Sequence, residues 1–316
     1  MDAITSIRPT VPHIRIPILS GKNIEVKTID TLVRDIYNLV KTRGWFTDEI
    51  RNDLEGAVGR RLQEKFNEDK GPPTLRMSRL GPVCPKALWY SIHEPGLAVP
   101  LHPWTEIKYS IGHIVEAQAI AFAKAAGHRV EGEQDAIQFD GITGHRDCVI
   151  DGMVVDVKST STRGFEKFKT RALEKDDAFG YLNQLDGYVL GSAMDPLVQV
   201  KDEGALLVVD PILGHMFLYR HEVTNDRARA LKERIADYKR VVALLSPPTC
   251  ECRTIPQGSS GNIQLDVRAS YSPYKYCCRP HLRTFIYANG PVYLTNVVRK
   301  PDVREVNKHG KTVFNS

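Results

Sequence analysis

The stretch Gly144-His145-Arg146-Asp147-Cys148-Val149-Ile150-Asp151-Gly152-Met153-Val154-Val155-Asp156-Val157-Lys158 carries residue types at spacings that can do chemistry. Asp151-Gly152 between two β-rich runs predicts a two-residue hairpin turn, because both central positions of such a turn must tolerate positive φ. Counting outward, Ile150 faces Met153, Val149 faces Val154, Cys148 faces Val155 and Asp147 faces Asp156. Two carboxylates then share one face of the hairpin, and the period of two adds Lys158 to it. Like charges opposite one another destabilise a sheet unless a cation or water intervenes. A divalent metal would satisfy the pair, and carboxylate oxygens with waters suit Mg²⁺ or Mn²⁺ better than zinc. Lys158 could orient or deprotonate a water, or neutralise charge building up on a phosphate. An exposed hairpin whose acids merely face water is the plainer alternative.

Other elements offer further groups. Gly112-His113-Ile114-Val115-Glu116 lies in a predicted helix, and Glu116 could supply a third oxygen ligand, although a helix glutamate is more often a solvated surface residue. Gln184 and Tyr188 stand at i and i+4 and so share one helix face, a pair that is more often structural. After the hairpin come Arg163, Lys167, Lys169, Arg171 and Lys175 against only Glu166 and Glu174; they could grip phosphates or form an ordinary solvated face.

The elements that must position these groups fall into three stretches. Residues 1–73 form a helical N-terminal appendage, with Ile29, Leu32, Ile36 and Leu39 at helical spacing. Asp48 caps a second run through Ile50, Leu54, Val58 and Leu62, which Gly71-Pro72-Pro73 stops. Residues 74–248 alternate helix and strand patterns as an α/β or α+β core does. There the predicted elements are a helix over 105–126 burying Ile107, Ile111, Ile114, Val115 and Ala119, strands over 128–140, 142–150 and 153–159, and a short helix over 181–190. Two more strands, 205–210 and 215–221, precede a long, charged, exposed helix over 226–245. Residues 249–316 read as a loop-rich, cysteine-containing appendage, and its basic tail (Arg299, Lys300, Arg304, Lys308, Lys311) suits either DNA contact or solubility.

Composition sets the outer bounds. With 42% hydrophobic and 26% charged residues over 316, the chain can bury a core and is not disordered as a whole. Its best apolar run, 206–219, is broken by Asp210, Pro211 and His215, so no membrane span is expected. Residues 1–15 lack the pattern of a secretory signal, and a cytoplasmic location is expected. Six cysteines are too few for a disulfide framework, which leaves thiols, metal ligands or core residues. A net charge of +5 hints only weakly at a polyanionic partner.

Taken in order, Gly112-x-x-x-Glu116, Gly144-His145-Arg146-Asp147, Asp156-Val157-Lys158 and Gln184-x-x-x-Tyr188 resemble the PD-(D/E)XK nuclease superfamily. The RecB-like branch, with its phage exonucleases and CRISPR-associated RecB-like exonucleases, is the nearest match over residues 75–190, and Leu75–Gly81 and Cys84–Tyr90 resemble its opening segment. The resemblance implies a restriction-endonuclease-like α/β core, a mixed central sheet flanked by helices. It implies a Mg²⁺- or Mn²⁺-dependent DNA nuclease, an exonuclease in phage DNA replication, recombination or repair, acting in the host cytoplasm beside phage recombination or replication proteins. An endonuclease of the same fold and a non-catalytic nucleic-acid-binding scaffold remain the alternatives. In the family pattern Asp147 and Asp156 are metal ligands, Lys158 is the catalytic lysine, and Glu116 takes a position held by histidine or glutamate. Gln184 and Tyr188 match the element that contacts the DNA strand near the active site.

Several members of that family hold a 4Fe-4S cluster on one cysteine before the core and three after it. Cys84 matches the first, but Ala269 and Ser272 stand where two of the others belong. Cys250 and Cys252 could substitute and complete four thiolates with Cys277, or with Cys278. Loss of the cluster is the competing possibility, and a protein that is chiefly an iron-sulfur protein is a third. Cys148, on the strand face opposite Asp147, reads as a core thiol.

Overall fold

A computed structural model describes residues 27–66 and 73–313, so Gly71, Pro72 and the first 26 residues lie outside the described part. Apolar residues at helical spacing build α1 (Leu32–Lys41) and α2 (Asp48–Phe66) where the sequence places them. Thr47 rather than Asp48 caps α2, its hydroxyl accepting the Ile50 N–H at 3.3 Å. The next two helices, α3 (Pro85–His93) and α4 (Pro103–Ala125), both begin on a proline, whose missing N–H leaves no bond unmade in a first turn. The buried face of α4 differs from the expected one. Val115 and Ala119 are buried, but Ile107, Ile111 and Ile114 are exposed, because the packed stripe runs from Ser110 through Glu116, Ile120 and Ala123 and is densest along the C-terminal half.

The strands that follow are more broken than the apolar pattern suggests. Positive φ at Gly132 and Gln134 separates β1 (Val130–Glu131) from β2 (Ala136–Phe139), and β2 pairs with β3 (Ile142–His145) in a small hairpin of its own. At Arg146-Asp147 the chain changes partner, so that β4 (Cys148–Ile150) pairs with β1 on one side and with β5 (Met153–Ser159) on the other. A crossover through α5 (Thr162–Lys169) and α6 (Tyr181–Gly191) makes β6 (Glu203–Asp210) parallel to β5. β7 (His215–Glu222) returns antiparallel and leads into α7 (Asn225–Val242). The result is a mixed five-stranded sheet, ordered β1-β4-β5-β6-β7 and flanked by helices.

Two apolar layers cover the faces of this sheet. Val149, Val154, Leu206 and Val208 pack with α5, α6 and α7 through Phe165, Leu185, Tyr188 and Ile235. Their neighbours Cys148, Met153, Val155, Val157 and Leu207 pack on the other face with Leu32 and Ile36 of α1 and with Val115, Ala119 and Ile120 of α4. Cys148 is fully buried there, as a core thiol. The charged helix α7 presents Leu231, Ile235 and Tyr238 inward and its charges outward.

The C-terminal part is rich in loops but is organised by a second five-stranded sheet, which short runs without alternation did not announce. Its elements are β8 (Thr254–Pro256), β9 (Ile263–Leu265), the short helices α8 (Val267–Tyr271) and α9 (Lys275–Cys278), then β10 (Arg283–Tyr287), β11 (Gly290–Asn296) and β12 (Glu305–Val306). Its apolar centre, including Leu265, Tyr274 and Tyr293, shares Ala87 with α3, whose Leu88 belongs to the main core. Among the described residues, no helix is long and apolar enough to cross a membrane.

Candidate active site

Asp151 and Gly152 adopt φ of 50° and 80°, the left-handed pair that a tight hairpin turn needs, and the register is Cys148↔Val155, Val149↔Val154, Ile150↔Met153. The Asp151 carboxylate also holds His128 Nδ1 at 2.7 Å and accepts the Arg129 N–H at 3.0 Å. Paired strand ends at Cys148, and Asp147 then bonds to backbone: its Oδ2 accepts the Val157 N–H at 2.7 Å. Asp156 and Lys158 share the β5 face of Val154, which packs toward α6. Lys158 Nζ stands 2.6 Å from Asp156 Oδ2 and donates to Gln184 Oε1 at 3.2 Å, with the Tyr181 ring centroid 5.2 Å away.

Glu116 arrives from α4, on the other side of the sheet. Gln134 connects it to the hairpin, its amide donating to Glu116 Oε1 at 3.1 Å and to Asp147 Oδ1 at 3.3 Å. Arg61 of α2 pairs with the same glutamate at 2.7 Å, and His113 Nδ1 lies 3.9 Å from its other oxygen. Neither Gln134 nor Arg61 stands out in the sequence: one lies in an irregular turn, and the other is one basic residue of a helix 55 residues before Glu116.

The electrostatics follow from this crowding. Burial, then the neighbouring Asp156 and Glu116 charges, push the Asp147 carboxyl well above its ordinary range. Burial also raises Asp156, against the pull of Lys158. For Glu116, burial is outweighed by the His113 hydrogen bond and the Arg61 charge, so it is lowered. Burial works against the Lys158 ammonium, but Asp156 and Asp147 outweigh it and hold the amine in its charged form.

A hard divalent cation fits this donor set. Asp156 Oδ2 is buried, and the Lys158 ammonium 2.6 Å away is the cation it faces. The site also gathers carboxylate oxygens whose mutual repulsion a cation would relieve. The carboxylates are not drawn together as ligands of one ion: among the described residues only four thiols have their candidate ligand atoms all within 4.8 Å. Gln134 and Arg61 occupy the positions between and beside the acids.

Gln184 and Tyr188 form a supporting pair. Gln184 Nε2 donates to Tyr188 Oη at 2.8 Å while its oxygen accepts from Lys158, so the chain Tyr188–Gln184–Lys158 fixes the amine. Tyr188 is only 3% exposed and offers no surface to a DNA strand; Gln184 is half-buried. Gly144 is explained by the same pair, since a Cβ there would stand 2.8 Å from both the Tyr188 ring and Met77 Cβ. Fully buried Arg146, whose role the sequence does not reveal, is a structural clamp, bonding Asp135 at 2.9 Å, Asp195 at 2.6 Å and Ser192 Oγ at 3.1 Å.

The basic run on and just after α5 is largely paired locally. Lys167 pairs with Asp176 at 2.6 Å, Lys169 lies 3.5 Å from Glu166, and Arg171 pairs with Glu174 at 2.6 Å; Arg163 is exposed at the start of the helix. Cys84, Cys250, Cys252 and Cys278 converge at the junction between α3 and the C-terminal sheet. Cys278 takes the place expected of Cys277, because successive residues of α9 point about 100° apart and the Cys277 thiol is directed at Leu97 O, 3.9 Å away. A cavity of about 400 Å³ adjoins these thiols, not the carboxylates, and Arg234, Arg253 and Arg268 line it.

No protein-family model matches the chain, and no curated protein matches it. Among solved structures it is similar to a phage-related exonuclease from Haemophilus somnus 129PT, at 18% identity over 40% of this chain and 67% of that one, with a TM-score of 0.32. It is also similar to an alkaline exonuclease from Laribacter hongkongensis, at 16% identity over 52% of this chain and 89% of that one, TM-score 0.33. The protein SSO0001 is a further neighbour, at 14% identity over 71% of this chain and 95% of that one, TM-score 0.39. At such scores these likenesses bear no weight for function, which the carboxylates and Lys158 must carry.

Proposed function

We propose that the chain is a metal-dependent DNA nuclease of PD-(D/E)XK type, an exonuclease of the RecB-like kind acting in phage DNA replication, recombination or repair. The observation that carries this reading is the convergence of Asp147, Asp156 and a charged Lys158 at the central strand β5, with the buried Asp156 Oδ2 facing the Lys158 ammonium. Asp147, Asp156 and Glu116 would hold the ion. When bound, Mg²⁺ or Mn²⁺ supplies Lewis acidity at the scissile phosphate and an acidified water. Lys158, ionised between Asp156 and Asp147, stabilises the negative charge that develops on the phosphate oxygens. Gln184 orients that amine and Tyr188 orients Gln184, so both act as positioning residues. The Val157 N–H fixes the Asp147 carboxylate.

The Arg61 pair with Glu116 favours a second reading, a scaffold that binds DNA without cutting it. One experiment separates the two. Labelled linear and circular DNA, single- and double-stranded, is incubated with the protein in Mg²⁺, in Mn²⁺ or in chelator, beside Asp156→Asn and Lys158→Ala. The nuclease digests linear DNA in either metal, stops in chelator, and loses about 10²-fold or more of its rate in each variant. Binding without digestion in both metals establishes the scaffold instead, and cleavage of circular DNA replaces the exonuclease with an endonuclease.

A further inference from the structure

The four thiols of Cys84, Cys250, Cys252 and Cys278 are spaced for a single ion, not for the iron-sulfur cubane that the sequence resemblance implies. Cys84 Sγ lies 4.0 Å from Cys250 Sγ and 3.9 Å from Cys278 Sγ, and all four sulfurs fall within 4.8 Å of one another. Four thiolates about 2.3 Å from one tetrahedral ion stand about 3.8 Å apart along each edge. Four thiolates on a cubane each bind a separate iron at an outer corner, which sets them more than about 5 Å apart. The observed spacing matches the first arrangement. It is also about twice the length of a disulfide bond, roughly 2.05 Å, and all the cysteines are free.

The surroundings are those of a closed thiolate site. The Glu251 N–H points at Cys84 Sγ at 3.3 Å and the Cys252 N–H at Cys250 Sγ at 3.4 Å, backbone donors of the kind that hold ligating sulfurs in place. The second contact folds Cys250-x-Cys252 into a tight turn and brings both thiols to one point, which an extended pair two residues apart could not do. Cys252 and Cys278 are buried at 6% and 4% exposure, and Cys84 sits at the start of α3, the helix shared by the two apolar centres. Four soft ligands, with no fifth one grouped with them among the described residues, form a closed site of the structural type. The geometry points to one structural Zn²⁺ held by Cys84, Cys250, Cys252 and Cys278, clamping the C-terminal sheet to the nuclease-like core. This inference is independent of any cutting activity.

The full-length protein is purified from medium containing zinc and iron, and zinc, iron and acid-labile sulfide are counted per chain. About one zinc and no sulfide is expected, as for a closed four-thiolate site, in a colourless protein that stays so after anaerobic treatment with iron and sulfide. Exchange with Co²⁺ yields the intense red-region bands of tetrahedral cobalt thiolate. Cys278→Ser loses the metal and Cys277→Ser keeps it. A brown protein with sulfide and several irons, a single iron in place of zinc, or a chain that stays metal-free in excess zinc would each overturn the proposal. The wild-type count and Cys277→Ser decide the matter even if Cys278→Ser does not fold.

Discussion

Arg61 is the residue whose placement says most about how the acidic site is tuned. Its guanidinium lies 2.7 Å from Glu116 with both side chains mostly buried, so it neutralises the one carboxylate that belongs to neither strand of the hairpin. An ion approaching Asp147 and Asp156 meets a Glu116 whose charge is already compensated. Removing the guanidinium returns that charge to the site, and at the effective dielectric of a partly buried pair this is worth about 1 kcal/mol, roughly a five-fold change in cation affinity. Arg61→Ala is therefore expected to reach half-maximal cleavage at about five-fold lower Mg²⁺. A titration of rate against metal concentration measures this, and an unchanged or higher requirement would show that Arg61 does not compete with the ion.

Between residue and element lies the question of what the sequence could disclose. The hairpin was legible down to its register because Asp151-Gly152 encodes the turn locally and a period of two does the rest. The break at Arg146-Asp147 was not, since it depends on Arg146 finding Asp135, Asp195 and Ser192, partners dispersed along the chain. Helix α4 was legible in extent but not in orientation: a helix apolar on much of its surface does not declare which stripe meets the sheet, and Ile107, Ile111 and Ile114 stay exposed. The choice of Cys278 over Cys277 turns on the rotation of the four-residue helix α9, which no periodicity records. Gly144 belongs to this scale as well, because its missing side chain lets β3 press against α6. An alanine Cβ would stand 2.8 Å from Met77 Cβ and from the Tyr188 ring, neither of which is the free end of a flexible chain. Gly144→Ala is expected to cost about 1–3 kcal/mol as overpacking and to slow cleavage by displacing Tyr188, and with it Gln184 and Lys158. Denaturant midpoints beside cleavage rates check both effects; a wild-type midpoint would mean that β3 and α6 separate freely.

At the scale of the whole molecule, the sheet is held between two apolar layers, and α1 with the turn before it helps to close the layer on the α4 side through Ile29, Leu32 and Ile36. Its polar anchor is Asp35, which links the helix to the hairpin turn: Lys27 Nζ at 2.8 Å and the Thr31 hydroxyl at 2.7 Å bind Oδ2, Arg34 Nε reaches Oδ1 at 3.3 Å, and His128 Nε2 lies 3.4 Å away with its other nitrogen on Asp151. Burial alone would raise the Asp35 pKa, but the hydrogen bonds from Lys27, Thr31 and Arg34 outweigh it and lower it from 3.8 to about 2. A carboxyl more acidic in the folded state than in the unfolded chain stabilises the fold only while it is ionised. Its contribution is complete above the unfolded value of 3.8 and is lost as pH falls through about 2. Asp35→Asn, which cannot ionise, is expected to unfold at lower denaturant than the wild type at neutral pH, and the margin is expected to shrink as the pH is taken below about 4. A margin that is absent at neutral pH, or that grows on acidification, would mean that α1 is held by its apolar face alone.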